Sequence, residues 1–224
     1  DVGLDNFSFA VNTVSPDGSL VAGGTPPATP NPDTLTYTSG ALDAMASNDV
    51  ITATSTALQS TLSAGGFING GAGVDTLKLA AGTTLALTAL TSNQTVKSIE
   101  QVEIFQLQGT STLTMSTNDV LSLGATNLTG YNFSSGGTVT TSSTDKVQFV
   151  VHATGTDALN LSCLASDGVS GNTGLAGAWT SKGTVVIGGV TYAIYDHSTT
   201  SAQVLVSGGA TVTASSTPLV LDLN

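Results

Sequence analysis

The chain has 224 residues, 40% of them hydrophobic, enough to bury a core in one large all-β domain or two small ones. Only 8% are charged, with Lys+Arg 4 against Asp+Glu 15 and a net charge of -11. That balance argues against nucleic acid and anionic lipid as partners, because little is available to neutralise phosphate, and suits a protein that meets divalent cations outside the cell. Thr, Val, Ser and Gly crowd the sequence, favouring strands and the turns between them. Cys163 is alone, so no internal disulfide can form. There is no signal peptide and no apolar run long enough to cross a bilayer. A start at Asp1 rather than Met leads us to expect a processed chain or a piece of a longer one.

In chain order, residues Leu4 to Val14 read as a strand around Phe7, Phe9 and Val11, closed by the turn Ser15-Pro16-Asp17-Gly18. The stretch Gly23 to Pro32 is a stiff, proline-rich connector and the clearest boundary. Short strands are expected at Leu35 to Thr38 and around Asn48 to Thr52, then a short helix over Thr56 to Leu62. A glycine turn at residues 70 to 73 leads into strands at Thr76 to Leu79 and Thr83 to Leu90. The apolar run Ser98 to Leu107 predicts one strand, Ser111 to Met115 another, and Thr117 to Leu123 a helical turn behind capping residues.

After Gly130 the pattern turns to antiparallel hairpins. Lys146 to Val151 is a strand, and Thr184 to Ile187 and Val190 to Tyr195 flank Gly188-Gly189 as a two-residue hairpin. Ala202 to Val206 and Ala210 to Thr213 repeat that pattern around Ser207-Gly208-Gly209, and Leu219 to Leu223 is a last strand. No repeat of 20 to 50 residues is regular enough to predict a solenoid, although Asp119 to Leu123 and Asp157 to Leu161 echo one another. Three regions are expected: an N-terminal strand and connector over 1–33, a glycine-turn β region over 34–130, and an antiparallel hairpin region over 131–224.

Gly70-Gly71-Ala72-Gly73-Val74-Asp75-Thr76-Leu77-Lys78 fits the nonapeptide G-G-x-G-x-D-x-U-x at every fixed position. The glycines permit positive φ, the aspartate supplies a charged oxygen and the apolar residue points into a core. With Asn48-Asp49-Val50-Ile51-Thr52 before it and Ser98-Ile99-Glu100-Gln101-Val102 after it, the order of motifs resembles RTX-type bacterial surface proteins, the large type I-secreted adhesins and S-layer subunits. Trp179-Thr180, Gly183 to Tyr195 and Ala202 to Val206 resemble the module near the secretion region of such adhesins, and Pro218 to Asn224 resembles the opening of a further calcium loop. The resemblance implies calcium, type I secretion and a structural or adhesive role at the cell surface.

Calcium takes an all-oxygen cage, and the candidate ligands are Asp75, the carbonyls of Gly71 and Gly73, and Asp49 from the neighbouring turn. The alternative is a tight turn in which the glycines serve geometry and Asp75 caps backbone amides. No enzyme is expected. Glu100 and Glu103 would point to opposite faces of a strand. His197 beside Asp196 lacks a Gly-flanked serine, His152 stands apart, and Cys163 reads as a small buried residue. Trp179, Tyr192 and Tyr195 could form a sugar-stacking platform, but core anchoring suits so aromatic-poor a chain better.

The expectation is therefore an all-β, β-roll-like or β-sandwich module with antiparallel hairpins and one or two short helices. It would be non-catalytic, extracellular and calcium-assisted, with neighbouring domains or further copies of itself as partners. The alternatives are a self-assembling subunit of a surface layer or filament, and a carbohydrate-binding lectin module that takes glycans.

Overall fold

The computed structural model describes residues 28–90, 98–140, 145–162 and 177–214, with the backbone of a small antiparallel pair, β1 (Thr13–Val14) and β2 (Leu20–Val21). From Thr34 onward the chain winds through six coils that stack on one another. The first holds β3 (Thr34–Tyr37) and β4 (Ala41–Asp43). The second holds β5 (Val50–Ala53), helix α1 (Leu58–Ser63) and β6 (Phe67–Asn69). The third holds β7 (Thr76–Lys78), β8 (Thr84–Ala86), a 3-10 turn and β9 (Ile99–Glu100). The fourth runs through β10 (Ile104–Gln106), β11 (Thr112–Ser116), helix α2 (Thr117–Leu123) and β12 (Ala125–Thr126). The fifth contains β13 (Val147–His152), β14 (Ala158–Ser162), β15 (Trp179–Ile187) and β16 (Val190–His197), and the sixth β17 (Ala202–Ser207) and β18 (Thr211–Ala214).

Three sheets result. In the first, β3, β5, β7, β10, β13 and β17 pair in parallel, coil upon coil, and the β15–β16 hairpin adds to β17. The second stacks β8, β11, β14 and β18, and the third β4, β6 and β9. Register fixes the columns: Leu35, Ile51, Leu77, Phe105, Val151 and Val206 lie above one another, all buried, and form the spine of one continuous core with Leu85, Leu113 and Leu159 from the second sheet. Each such side chain contributes about 1.5–3 kcal/mol by leaving water. A smaller cluster of Phe133, Val150, Ile194 and Leu205 forms elsewhere, with Val185, Ile187 and Tyr192 packed against it.

The helices occupy connections. Leu58 and Leu62, one turn apart, bury the inner face of α1, while Gln59 accepts the Ala86 amide at 2.8 Å and so completes the edge of β8. In α2, Ser116 and Asp119 form a reciprocal capping box.

The β-roll-like or β-sandwich expectation is overturned. Strand makes up 46% and helix 12%, but the sheets are parallel or mixed, in an arrangement closer to α/β than to a β-roll. Alternation of apolar and polar residues reads alike in parallel and antiparallel strands, so it could not tell them apart. The expected antiparallel pairing holds at Gly188-Gly189, both at positive φ (59° and 83°), which join β15 to β16. At Ser207-Gly208-Gly209 the same signal marks a coil corner: β17 pairs with β13, and β18 with β14. A Cβ on Gly208 would run into the Ala153 carbonyl of the coil beneath. The predicted strand Ser98 to Leu107 is two strands on different sheets, broken at Gln101, whose φ is 50°. Thr83 to Leu90 is a three-residue strand followed by a 3-10 turn. Most of Leu4 to Val14, and all of Leu219 to Leu223, lie outside the described residues.

Stacked coils were not foreseen because their length is not constant. Equivalent residues lie 16, 26, 28, 46 and 55 apart, since the connections hold different insertions. The echo between Asp119 to Leu123 and Asp157 to Leu161 is not a structural repeat: the first falls in α2, and the second aligns with β11.

Candidate functional site: a column of buried carboxylates

Each of the first three coils ends in a corner that turns the chain back into the first sheet. The glycine motif is the second of these. Its Gly71 (φ 92°) lies against Met45 (φ 75°), and its Gly73 (φ 156°) against Ser47 (φ 97°) in the corner beneath. The two corners are joined by Ser47 N donating to Ala72 O (2.7 Å), Ala72 N to Met45 O (2.9 Å) and Val74 N to Asn48 Oδ1 (2.9 Å). A Cβ on Gly71 would strike the Met45 carbonyl and one on Gly73 the Ser47 carbonyl, so both glycines are required by the approach of the lower coil as well as by backbone conformation. The nonapeptide thus has a structural twin 26 residues earlier, at Ala44 to Thr52, in which only Asp49 and the apolar Ile51 keep the motif's residue types.

The residue that closes each corner is an acid. Asp33, Asp49, Asp75 and Glu103 occupy one position in four successive coils, just before β3, β5, β7 and β10. Each of the upper three accepts the backbone amide of the acid beneath. Asp33 N donates to Asp49 Oδ1 (2.7 Å), Asp49 N to Asp75 Oδ1 (2.7 Å) and Asp75 N to Glu103 Oε2 (2.8 Å). Asp33 ends the series by accepting Thr29 N and its hydroxyl. Asp49, Asp75 and Glu103 are 1%, 0% and 7% exposed, so these carboxylates are part of the interior.

Their electrostatics follow. Burial lifts the Asp75 carboxyl to about 6; the Asp49 amide pulls it back and the Asp49 charge pushes it up. Burial raises Glu103 too, with the Asp75 amide opposing and the Asp75 charge adding. The free oxygens, Oδ2 of Asp49 and of Asp75, have no hydrogen-bond partner. By contrast Asp157, buried in a matching column before β14, uses both oxygens: Ser111 N donates to one at 2.8 Å, and Thr154 N and its hydroxyl to the other.

Of the predicted metal ligands, Asp49 and Asp75 are therefore brought into adjacent coils, with Gly71 and Gly73 in the corner that Asp75 closes. The reading in which Asp75 caps a backbone amide describes one of its oxygens, and the calcium reading needs the other. Hard oxygen donors suit calcium, which takes six to eight of them. Among the described residues no three His, Cys, Asp or Glu side chains group as a metal site, so a cation here would draw on carbonyls as well. The residues fit that need. A Cβ on Gly70 would strike the Gln101 carbonyl and come within 2.8 Å of Asp75 Oδ2, so this glycine keeps open a cradle beside both oxygens.

The other candidates are dispersed. Glu100 and Glu103 lie on either side of the Gln101 corner, not along one strand. Asp196 bonds Lys146 (3.1 Å) and Gln203 (2.7 Å), whereas His197 pairs through Nδ1 with Thr200 Oγ1 (3.1 Å), so no acid orients that imidazole. His152 Nδ1 lies 3.0 Å from Ser207 Oγ, and burial pushes both histidines below their usual pKa. Trp179 is buried against His197 and donates to Ser162 O, which removes it from any sugar platform; Tyr192 and Tyr195 are half-buried. Cys163 lies outside the described residues.

Sequence reasoning missed Asp33 and Glu103 as members of the acid column, and missed the Gln101 corner that crowds Gly70. A signal existed: Asp33-Thr-Leu-Thr-Tyr37, Asp49-Val-Ile-Thr-Ala53, Asp75-Thr-Leu-Lys-Leu79 and Glu103-Ile-Phe-Gln-Leu107 share an acid, a β-branched residue, a large apolar residue and a second apolar residue two further on. No family model, curated protein or solved structure matches the chain.

Proposed function

We propose that this chain is a non-catalytic structural module of an extracellular bacterial surface protein, assisted by calcium. The observation that carries the reading is the six-coil parallel ladder, whose buried acids are spent on joining one coil to the next. A stack of this kind resists extension because its coils are joined by hydrogen bonds along three sheets. The low charge, the resemblance to RTX-type surface proteins and the oxygen-rich corner support the same reading. No helix among the described residues is long and apolar enough to cross a membrane.

Pulling single molecules from both termini tests it. Unfolding should occur at higher force in millimolar calcium than in chelator. A force that does not change with calcium would count against the calcium-assisted module.

A self-assembling subunit is a second reading, favoured by the open edges of β3 and β4, which pair on one side only among the described residues. The far end is guarded: β15 carries a register shift between Ser181 and Thr184, with Lys182 and Gly183 in it, a feature that discourages edge pairing. Light scattering at rising concentration separates the two readings. Particles that grow with concentration favour the subunit, and a constant mass favours the module.

A further inference from the structure

His197 is the last residue of β16 and is 2% exposed, yet no acid pairs with it. Its Nδ1 lies 3.1 Å from Thr200 Oγ1, which also accepts the Ala202 amide at 3.2 Å, and its Nε2 is buried without a hydrogen-bond partner. The start of β15 closes a box around the ring. Trp179 faces His197 across the ladder, with the two rings 5.4 Å apart at 64°. Gly177 shuts the Nε2 side, where a Cβ would come within 2.8 Å of that nitrogen. Two hydrogen bonds lock the box, Ala178 N donating to Ser198 Oγ (2.9 Å) and Ser198 N to Ala178 O (3.0 Å).

A neutral imidazole fits this box and a protonated one does not. Protonation puts a hydrogen and a charge on a buried nitrogen that has no acceptor to meet them. The groups around it give no relief: Trp179 of β15 and Ser198 and Thr200 of the turn to β17 are uncharged, and β14 reaches the box through the Ser162 carbonyl, which takes the Trp179 indole N–H at 3.2 Å. The charges carried by the adjoining elements are Asp196, held by Lys146 and Gln203, and Lys182, in the register shift of β15. Burial accordingly holds His197 below its ordinary value of 6.5. That register shift, between Ser181 and Thr184, also divides β15: beyond it Val185 and Ile187 pack on the Phe133 cluster, so the part before it is free to open separately.

We propose that His197 is a proton-operated latch, whose protonation in acid frees Gly177 to Ser181, with Trp179, from the end of the stack while the coils stay folded. Opening leaves β16 unpaired at Tyr195 to His197, on the edge that β15 otherwise covers. Its sense is opposite to that of Asp75: the buried site disfavours the imidazolium, so the latch is shut above the ordinary histidine value and opens as pH falls below it. None of the predicted metal ligands takes part, so the latch stands apart from the calcium-assisted reading.

Trp179 is the sole tryptophan and His152 the sole other histidine, so both the probe and the control are built in. The whole chain is titrated at fixed calcium from about pH 8 to about pH 4, reading tryptophan emission and far-ultraviolet circular dichroism together. Emission should shift to the red below about pH 6.5 while the dichroism holds. His152→Gln should respond as the wild type does, and His197→Gln should not respond. An equal response in His197→Gln, no response in the wild type, or dichroism lost along with the shift would overturn the latch. Should His197→Gln fail to fold, the histidine ring protons of the wild type decide, with His152→Gln supplying the assignment. A His197 titration below about 6.5, at the midpoint of the emission shift, supports the proposal, and a titration at or above that value, or at another midpoint, refutes it.

Discussion

One interior column reads differently in the two halves of the stack. In coils one to four the position holds Asp33, Asp49, Asp75 and Glu103; in coils five and six it holds Phe149 and Val204, both fully buried. The difference follows from where the strands begin. In the first four coils the strand starts one residue later, and in the first three of them the amide at this position is accepted by the carboxylate of the next coil. In the last two, β13 and β17 begin at Val147 and Ala202, and Phe149 and Val204 pair within the backbone ladder. The side chain is then released to pack, and Phe149 meets Phe105 edge-on at 5.2 Å. A polar residue in a core is tolerated when it does what the backbone cannot.

Exchanging the two solutions should have the largest effect. Phe149→Asp puts a carboxylate in place of a fully buried ring and removes the contact with Phe105, so chemical denaturation should show a loss of at least about 4 kcal/mol. Retained stability would mean that the column is not set by backbone demand. Phe105→Ala, which leaves both solutions in place and opens a cavity beside them, should cost about 3–5 kcal/mol in the same assay.

Asp75→Ala orphans the Asp49 amide and should cost about 1–3 kcal/mol, with Asp75→Asn costing less because it keeps an acceptor. Equal losses in the two variants would argue against the amide bond as the cause.

The halves should also differ in their response to pH. Because the folded Asp75 carboxyl sits at about 6, above the ordinary value of 3.8, the folded state binds its proton more tightly than the unfolded chain. Its contribution is complete below about pH 4 and is lost as pH rises through 6, a loss on the order of 1 to 3 kcal/mol in chelator. Denaturation midpoints measured from pH 4 to 8 should fall over that interval in the wild type and much less in Asp75→Asn. Parallel curves would remove Asp75 as the titrating group.

The smallest effect expected separates two look-alike dipeptides. Gly189→Ala, in an open hairpin turn, should cost about 1 kcal/mol through its positive φ alone, and Gly208→Ala clearly more because Ala153 stands in the way. Thermal melts of the pair give the ranking, and equal shifts would contradict the corner assignment.

That pair also shows what the sequence could disclose. Strand-forming residues, the two helices and the turn at Gly188-Gly189 were legible because each depends on neighbours a few residues away. The difference between a hairpin and a corner was not, since Gly-Gly supplies the same backbone freedom to both and only the contact with Ala153 separates them. Asp75 stood out through its glycines. Asp33 and Glu103, which share its position, did not, because coil spacing varies and no fixed period links them. Gly70 was visible as a motif glycine, but its crowding by Gln101 and Asp75 is a fact of three dimensions.

Hydrogen exchange at single amides tests the central claim most directly. If carboxylates join the first coils, the amides of Asp33, Asp49 and Asp75 should exchange as slowly as those of the ladder strands β5 and β7, although they lie outside any strand. Exchange at the rate of exposed corner amides such as that of Gly73 would contradict it.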